Sequence, residues 1–380
     1  MSDLHFIKAP CHQSRRLQGF QFAPDQIKTI YDFQIEIDKF SGSKRGLDNQ
    51  FQICPGYQIL NEHILDFKMK NKNSKIITIG GDNSISSATI SALNDFSNLS
   101  NLKVLWFDCF PDMELFGSST VDLNDMAASS LLGINDIKFV EQIKILKPEQ
   151  LLFVGLVSDN DFQLLNELSI NYITCDKIKK IGTPKVIELI SNFVGDSDVH
   201  VVMDLKVFNK NIVGSVIPLN DDGLLLDQWL DICDFIKNKI TSLDIVEFNP
   251  LIGNNKEVFN AKEVIRKSLL QLFEMKEHKI NVFNEDSEFL IFRTLSQQDP
   301  ESDIGWYILR GLDLSQREEL LAQVPKDCII NLQIDNEEYI ITKTTINEQN
   351  QKSYFSANCI ENCVLFAEEK MVMCFELINS

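Results

Sequence analysis

The sequence predicts an α/β protein with a mainly parallel sheet, followed by a small α+β appendage. Three observations predict it. Short, nearly continuous apolar runs such as KIITIG, LKVLWF and LLFVGL recur through the first part of the chain, the pattern of strands buried on both faces. Segments of helical periodicity separate these runs, which is the alternation of a parallel sheet with crossover helices. From about residue 285 the pattern changes, and CIINLQIDNEEYIITKTTINEQNQKSYFSAN alternates like antiparallel hairpins.

The elements follow in order. LHFIKAP (4–10) reads as a first strand, and after a Gly/Gln loop Pro24 opens a helix predicted to reach about Phe40. A second helix is predicted over Tyr57 to Met69. KIITIGG is a β-branched strand stopped by Gly80 and Gly81, SISSATISAL is helical, and LKVLWFD is the next strand. QLLFVGL, INYITC, VHVVMDL and TSLDIVEF repeat the pattern downstream. This gives two domains, 1–284 and 285–380. In the second, SQREELLAQ opens with the capping pair Ser315 and Glu318. No internal repeat is present.

Composition excludes several classes. A length of 380 residues suits one large domain plus a small module. No run of about 18 apolar residues is available to span a bilayer, and the N-terminus lacks a charged start followed by an apolar stretch, so a cytoplasmic chain with no membrane contact is expected. A net charge of −19 argues against a nucleic-acid partner, and the densest basic cluster, Lys68, Lys70, Lys72 and Lys75, is too slight to reverse it. The nine cysteines lack metal-finger spacing and are expected to be reduced. Five histidines, at 5, 12, 63, 200 and 278, limit any imidazole-based metal chemistry.

Ligands of parallel sheets gather at the carboxyl ends of strands. There the sequence places GGDNS (80–84), DCFPD (108–112), DLNDM (122–126), MDLK (203–206) and LDIVEFNP (243–250). In this order the blocks resemble the arginase/agmatinase (ureohydrolase) family, whose members carry GGDHS, DAHxD, NLHG, DxDxxDP and a late glutamate before Asn-Pro. The resemblance runs to about residue 275, and the ordered set is more specific than any one block. It implies a three-layer α/β/α domain. It also implies a two-manganese cluster that activates a bridging water to attack a guanidinium carbon, and assembly as a trimer or hexamer.

Carried over residue by residue, the resemblance reveals losses. The GGDHS histidine falls on Asn83, and three aspartate ligands of the first metal fall on Asp108, Asp112 and Asp204. The DAHxD histidine falls on Phe110, the second acid of DxD on Lys206 and the NLHG histidine on Asn124. The glutamate that holds the guanidinium is retained as Glu247. The Lys206 ammonium has the charge to take the place of the missing second cation and compensate Asp108 and Asp204.

The resulting expectation is an arginase-like pseudoenzyme without a dinuclear manganese cluster, acting in binding, assembly or regulation. The alternative is a one-metal or metal-free hydrolase of a C–N bond in a small amidine or amide. In its one-metal form Asn83, Asp108, Asp112 and Asp204 hold a single hard cation, Mn²⁺, Mg²⁺ or Ca²⁺. In the metal-free form of the pocket, Lys206 and backbone donors satisfy the acids.

The remaining features each have two readings. Gly80 and Gly81 are a tight turn or a phosphate cradle; Phe107 and Phe110 are core or a ligand platform. Glu247 grips a cationic ligand or pairs with Lys206 or a backbone donor. Cys109 is an inert thiol or a nucleophile, and Asp221-Asp222-Gly223 is a turn or a metal loop. The appendage is a candidate surface for a protein partner.

Overall fold

The computed structural model describes residues 4–12, 18–27, 33–37, 40, 44–45, 51–97, 101–115, 122–157 and 162–273. In the C-terminal part it describes the strand segments 289–295, 306–309, 329–334, 337–347 and 352–357. Contacts divide the chain into two compact units, Met1–Ile27 with Phe33–Leu272, and Lys28–Asp32 with Phe273–Ser380.

In chain order the first unit contains β1 (Leu4–Ala9), α1 (Ala23–Ile27), β2 (Ile35–Glu36), the antiparallel ribbon β3 (Lys44–Arg45) and β4 (Phe51–Gln52), α2 (Pro55–Lys70), β5 (Lys75–Gly80), α3 (Ile85–Phe96) and β6 (Leu102–Phe107). Then come α4 (Ala127–Leu131), β7 (Leu151–Leu156), α5 (Phe162–Glu167), β8 (Asn171–Thr174), α6 (Cys175–Ile181), α7 (Thr183–Val194), β9 (Asp198–Asp204), α8 (Leu226–Ile236), β10 (Ile240–Val246) and α9 (Asn255–Phe273). Eight strands form one sheet in the order β2-β1-β5-β10-β9-β6-β7-β8, and every pairing is parallel.

Alternation along β6 assigns its neighbours to two layers. Trp106 joins the buried cluster that includes Tyr57, Leu60 and Ile64 of α2 and Ile85, Ala88 and Ala92 of α3. Phe107 points the other way, edge-on to Trp229 of α8 with ring centroids 4.8 Å apart. The Trp229 indole N–H in turn donates to Ser268 Oγ on α9 at 2.7 Å. Helices therefore cover both faces, as an α/β/α arrangement requires.

α3 is buried along its length, from Ile85 to Asn94. Its small residues allow that, because serine hydroxyls find backbone partners at close range: Ser87 Oγ donates to Ala127 O (2.9 Å), and Ser91 Oγ accepts from Lys144 N (2.9 Å). α2 begins on Pro55 at its first position and ends with Lys68 and Lys70 in the last turn, which complements the helix dipole. The Lys68 ammonium donates to the carbonyls of Lys72 and Ser74 at 3.0 and 2.9 Å.

One expectation is corrected. The helix opened at Pro24 does not reach Phe40, because Ile35 and Glu36 pair in parallel with Ile7 and Lys8 of β1 as an edge strand. Lys8 of β1 pairs with Asp25 of α1 (2.6 Å) and Glu36 of β2 (2.9 Å).

In the second unit, β11 (Phe289–Leu295), β12 (Trp306–Leu309), β13 (Ile329–Ile334), β14 (Glu337–Asn347) and β15 (Lys352–Ala357) form a sheet ordered β12-β11-β13-β14-β15. All its pairings are antiparallel. The predicted helix at SQREELLAQ lies outside the described residues. No helix among the described residues is long and apolar enough to cross a membrane.

Candidate functional site

The carboxyl ends of four adjacent strands, β5, β10, β9 and β6, converge on one buried cluster. The turn after β5 shows why two glycines stand there. A Cβ on Gly81 would lie 1.6 Å from the Cys11 carbonyl oxygen, so only glycine lets the two backbones pass. Gly81 N donates to Ala9 O (3.1 Å) and Asp82 N to Cys11 O (3.0 Å). Asn83 N donates to Glu247 Oε1 (3.1 Å) and Ser84 N to Asp82 Oδ1 (3.2 Å). Every amide of the turn is thus engaged inside the protein. That geometry is a strand-to-helix turn, with no row of N–H groups turned to a phosphate.

Asn83 stands at the centre. Its amide nitrogen donates to Asp112 Oδ2 at 2.5 Å, Asp204 Oδ2 at 3.3 Å and Asp108 Oδ2 at 3.5 Å. Asp108 caps its own loop, accepting from the backbone of Cys109 (2.6 Å) and Phe110 (3.2 Å) on Oδ1. Asp112 adopts φ +50°, an uncommon conformation for a side-chain-bearing residue, and its carbonyl accepts from Ala128 N and Ser129 N. Asp204 ends β9 and accepts from Lys206 N at 2.7 Å. That bond holds the 3₁₀ turn Leu205–Val207 which brings Lys206 back over the sheet end.

The Lys206 ammonium lies 3.2 Å from Asp204 Oδ2 and 3.6 Å from Asp108 Oδ1, and 5.8 Å from the centroid of the Phe110 ring. Where the family pattern has a histidine, an aromatic face meets an ammonium. Phe107, by contrast, is core. Glu247 follows β10 at φ +67°; its backbone N–H donates to Gly81 O (2.8 Å) while its carboxylate receives Asn83 N.

Burial is nearly complete. Asn83, Asp108, Asp204 and Glu247 are 0% exposed, Lys206 1% and Asp112 4%. Four acids thus face one ammonium. Burial, then repulsion from Asp108, pushes the Asp112 and Asp204 carboxyls well above the usual carboxylate range. Burial opposes the charge on Lys206, but Asp108, Asp204, Glu247 and Asp112 together outweigh it and hold the ammonium well above its ordinary range. Burial and the neighbouring Asp108 push the Cys109 thiol up, so it is a protonated, poorly nucleophilic sulfur.

Asn124 is buried, yet its amide donates to Asp125 Oδ1 at 2.7 Å rather than to a carboxylate of the cluster. Asp221 and Asp222 pair with Lys210 and Lys179 at the surface. Gly223 lies against the backbone of Phe208 and Asn209, the geometry of a tight turn. The five cysteines among the described residues are buried thiols outside any disulfide.

Two features of this region were not anticipated. Beneath the β5 turn a chain of hydroxyls runs from Cys11 Sγ to Tyr57 OH (3.1 Å), Ser84 Oγ (2.6 Å) and Asp82. In mid-sheet, His200 Nδ1 bonds Ser242 Oγ at 2.8 Å, and its Nε2 lies 3.4 Å from Asp244 Oδ2. All three residues are 0% exposed, so the Ser, His and Asp are a structural node that no substrate reaches. Ser242 and Asp244 share one face of β10, but their meeting with His200 depends on the β9–β10 register, which no local spacing gives.

A parallel α/β/α fold with four acids and an asparagine gathered at four strand ends defines a recognisable class. The arginase family profile matches residues 2–270, and the chain belongs to that family. It is 25% identical over 230 residues to an arginase of Staphylococcus aureus (strain MRSA252), covering 58% of this chain and 75% of that one. It is 28% identical over 213 residues to an arginase of Entamoeba histolytica, covering 54% and 70%. Among solved structures, arginase from Bacillus caldovelox superposes with a TM-score of 0.64 at 19% identity, over 73% of this chain and 99% of that one. Formimidoylglutamase from Bacillus subtilis superposes with a TM-score of 0.60 at 18% identity, over 72% and 87%.

Proposed function

We propose that this member of the arginase family is a pseudoenzyme: a ureohydrolase fold without a dinuclear manganese cluster, whose role is binding, assembly or regulation. One observation carries the reading. The Lys206 ammonium is seated between Asp204 and Asp108, 3.2 and 3.6 Å away, where the family pattern has an acid serving a second metal. On this reading the donor set does not fit two manganese ions. Lys206 supplies the positive charge, Phe110 offers no lone pair, and Asn83 turns amide nitrogen rather than imidazole toward the acids.

The assay that tests it is urea release from arginine and agmatine with manganese supplied. The expected result is none above background; turnover at rates ordinary for an enzyme, a few per second or more, would sink the reading.

A second reading is favoured by the surplus of acids. Four buried carboxylates face one ammonium, and Asn83 Oδ1 has no hydrogen-bond partner among the described residues. A single hard cation, Mn²⁺ or Mg²⁺, held by Asp108, Asp112, Asp204 and Asn83, the last with its amide turned over to present oxygen, answers both, and supports a one-metal hydrolase of a C–N bond in a small amidine or amide. Calorimetric titration of wild type against Asp112→Ala separates the two readings, since one ion that binds wild type and not the variant supports the hydrolase. On either reading the chain is placed in the cytoplasm, as a homo-oligomer or with a protein partner on the C-terminal appendage.

A further inference from the structure

We propose that His5 and His63 form a two-histidine site for a borderline divalent transition metal, Zn²⁺, Ni²⁺ or Cu²⁺, that clamps helix α2 to strand β1. His5 is the second residue of β1, near its amino end, whereas the acidic cluster lies at the carboxyl ends of the neighbouring strands. The site is therefore independent of that cluster. The two Nε2 atoms stand 2.9 Å apart although 58 positions separate the residues in sequence.

The two rings are held edge to edge with their Nε2 atoms facing. His5 stacks on Phe67 with centroids 3.8 Å apart and planes 12° apart, and His5 and His63 lie at 5.2 Å and 25°. Two imidazole nitrogens bound at about 2.0–2.1 Å to one tetrahedral ion stand roughly 3.3 Å apart, so the pair needs to open by about 0.4 Å and to swing both rings until their lone pairs meet on the ion. Both residues are partly exposed, which gives an ion a way in and leaves its outer positions to water.

The protonation state suits a ligand. Burial first, and then the His63 charge, lower the His5 imidazole to about 4. Burial lowers that of His63 against the pull of Asp66. Both rings are accordingly neutral at physiological pH. Without metal, one Nε2–H donates to the lone pair of the other. With metal, that proton moves to Nδ1 of its own ring and both Nε2 lone pairs face the ion, so no co-reactant is needed. Imidazole donors select copper, nickel and zinc over magnesium and calcium. No third histidine, cysteine or acid among the described residues completes a ligand group with them, so the affinity expected is that of an open, two-ligand site.

The test uses the full chain stripped with a chelator. Nickel titration by calorimetry is expected to show one ion per chain with micromolar affinity, weakened at least tenfold in His63→Gln and in His5→Gln. Copper-loaded wild type is expected to show hyperfine coupling to two imidazole nitrogens in electron paramagnetic resonance, a readout that does not depend on the variants folding. Absence of nickel binding at about 100 µM, affinity unchanged in the glutamine variants, or a copper spectrum without two imidazoles would each overturn the proposal, leaving the pair a simple hydrogen bond.

Discussion

Two buried polar clusters share strands β9 and β10, and they differ in charge balance. In mid-sheet, His200 faces one acid, Asp244, and one hydroxyl, Ser242. At the strand ends four acids face Lys206, with Asn83 and backbone amides supplying the remaining donors. The first cluster sets a single acid against a single imidazole, with Ser242 on the other ring nitrogen. The second sets four carboxylates against one ammonium, and burial with mutual repulsion raises the carboxyls of Asp112 and Asp204. That surplus, rather than burial itself, sets the second cluster apart from the first.

Breaking the compensation at the strand ends is expected to give the largest effect. Lys206→Met keeps the apolar stem and removes the charge, leaving Asp108 and Asp204 without a cation. Urea unfolding at neutral pH should show a loss of about 3–5 kcal/mol. A loss below about 0.5 kcal/mol would mean that Lys206 does not offset the acids.

The next effect has the opposite sign. Asp112 has a carboxyl raised above its unfolded value of about 3.9, so the folded state binds its proton more tightly. That contribution is complete below the unfolded value and is lost as pH rises through the folded one. Asp112→Asn, which still accepts from Asn83, should therefore stabilise the protein by on the order of 1 kcal/mol at neutral pH. The gain should shrink toward nothing near pH 4. Unfolding curves across that range check it, and a gain that grew on acidification would contradict the assignment.

The smallest effect is expected in the mid-sheet node. Ser242→Ala removes one buried hydrogen bond to His200 and should cost about 0.5–1.5 kcal/mol, with no change in metal affinity at the strand ends. A change in that affinity would couple the two clusters and blur the distinction between them.

Much of this was legible in the sequence because strand ends in a parallel sheet are marked by chemistry: glycines at the β5 turn, and acids directly after the apolar runs of β6, β9 and β10. The placement of Lys206 beside Asp108 and Asp204 could be argued from charge alone. The His200 node was not legible, since one histidine and one aspartate inside apolar runs read simply as strand, and their meeting depends on the β9–β10 register. The His5 and His63 contact is likewise tertiary. β2 was mistaken for helix because two edge residues are too few to display a period. Asn124, where the resemblance puts a family histidine, bonds Asp125, a side-chain choice that no spacing rule predicts.

The central claim is that Lys206 has taken the place of a second metal ion. Elemental analysis of manganese in the full chain, loaded with excess Mn²⁺ and then freed of unbound metal, tests it most directly. The account predicts fewer than one tightly held ion per chain, whereas about two per chain would contradict it.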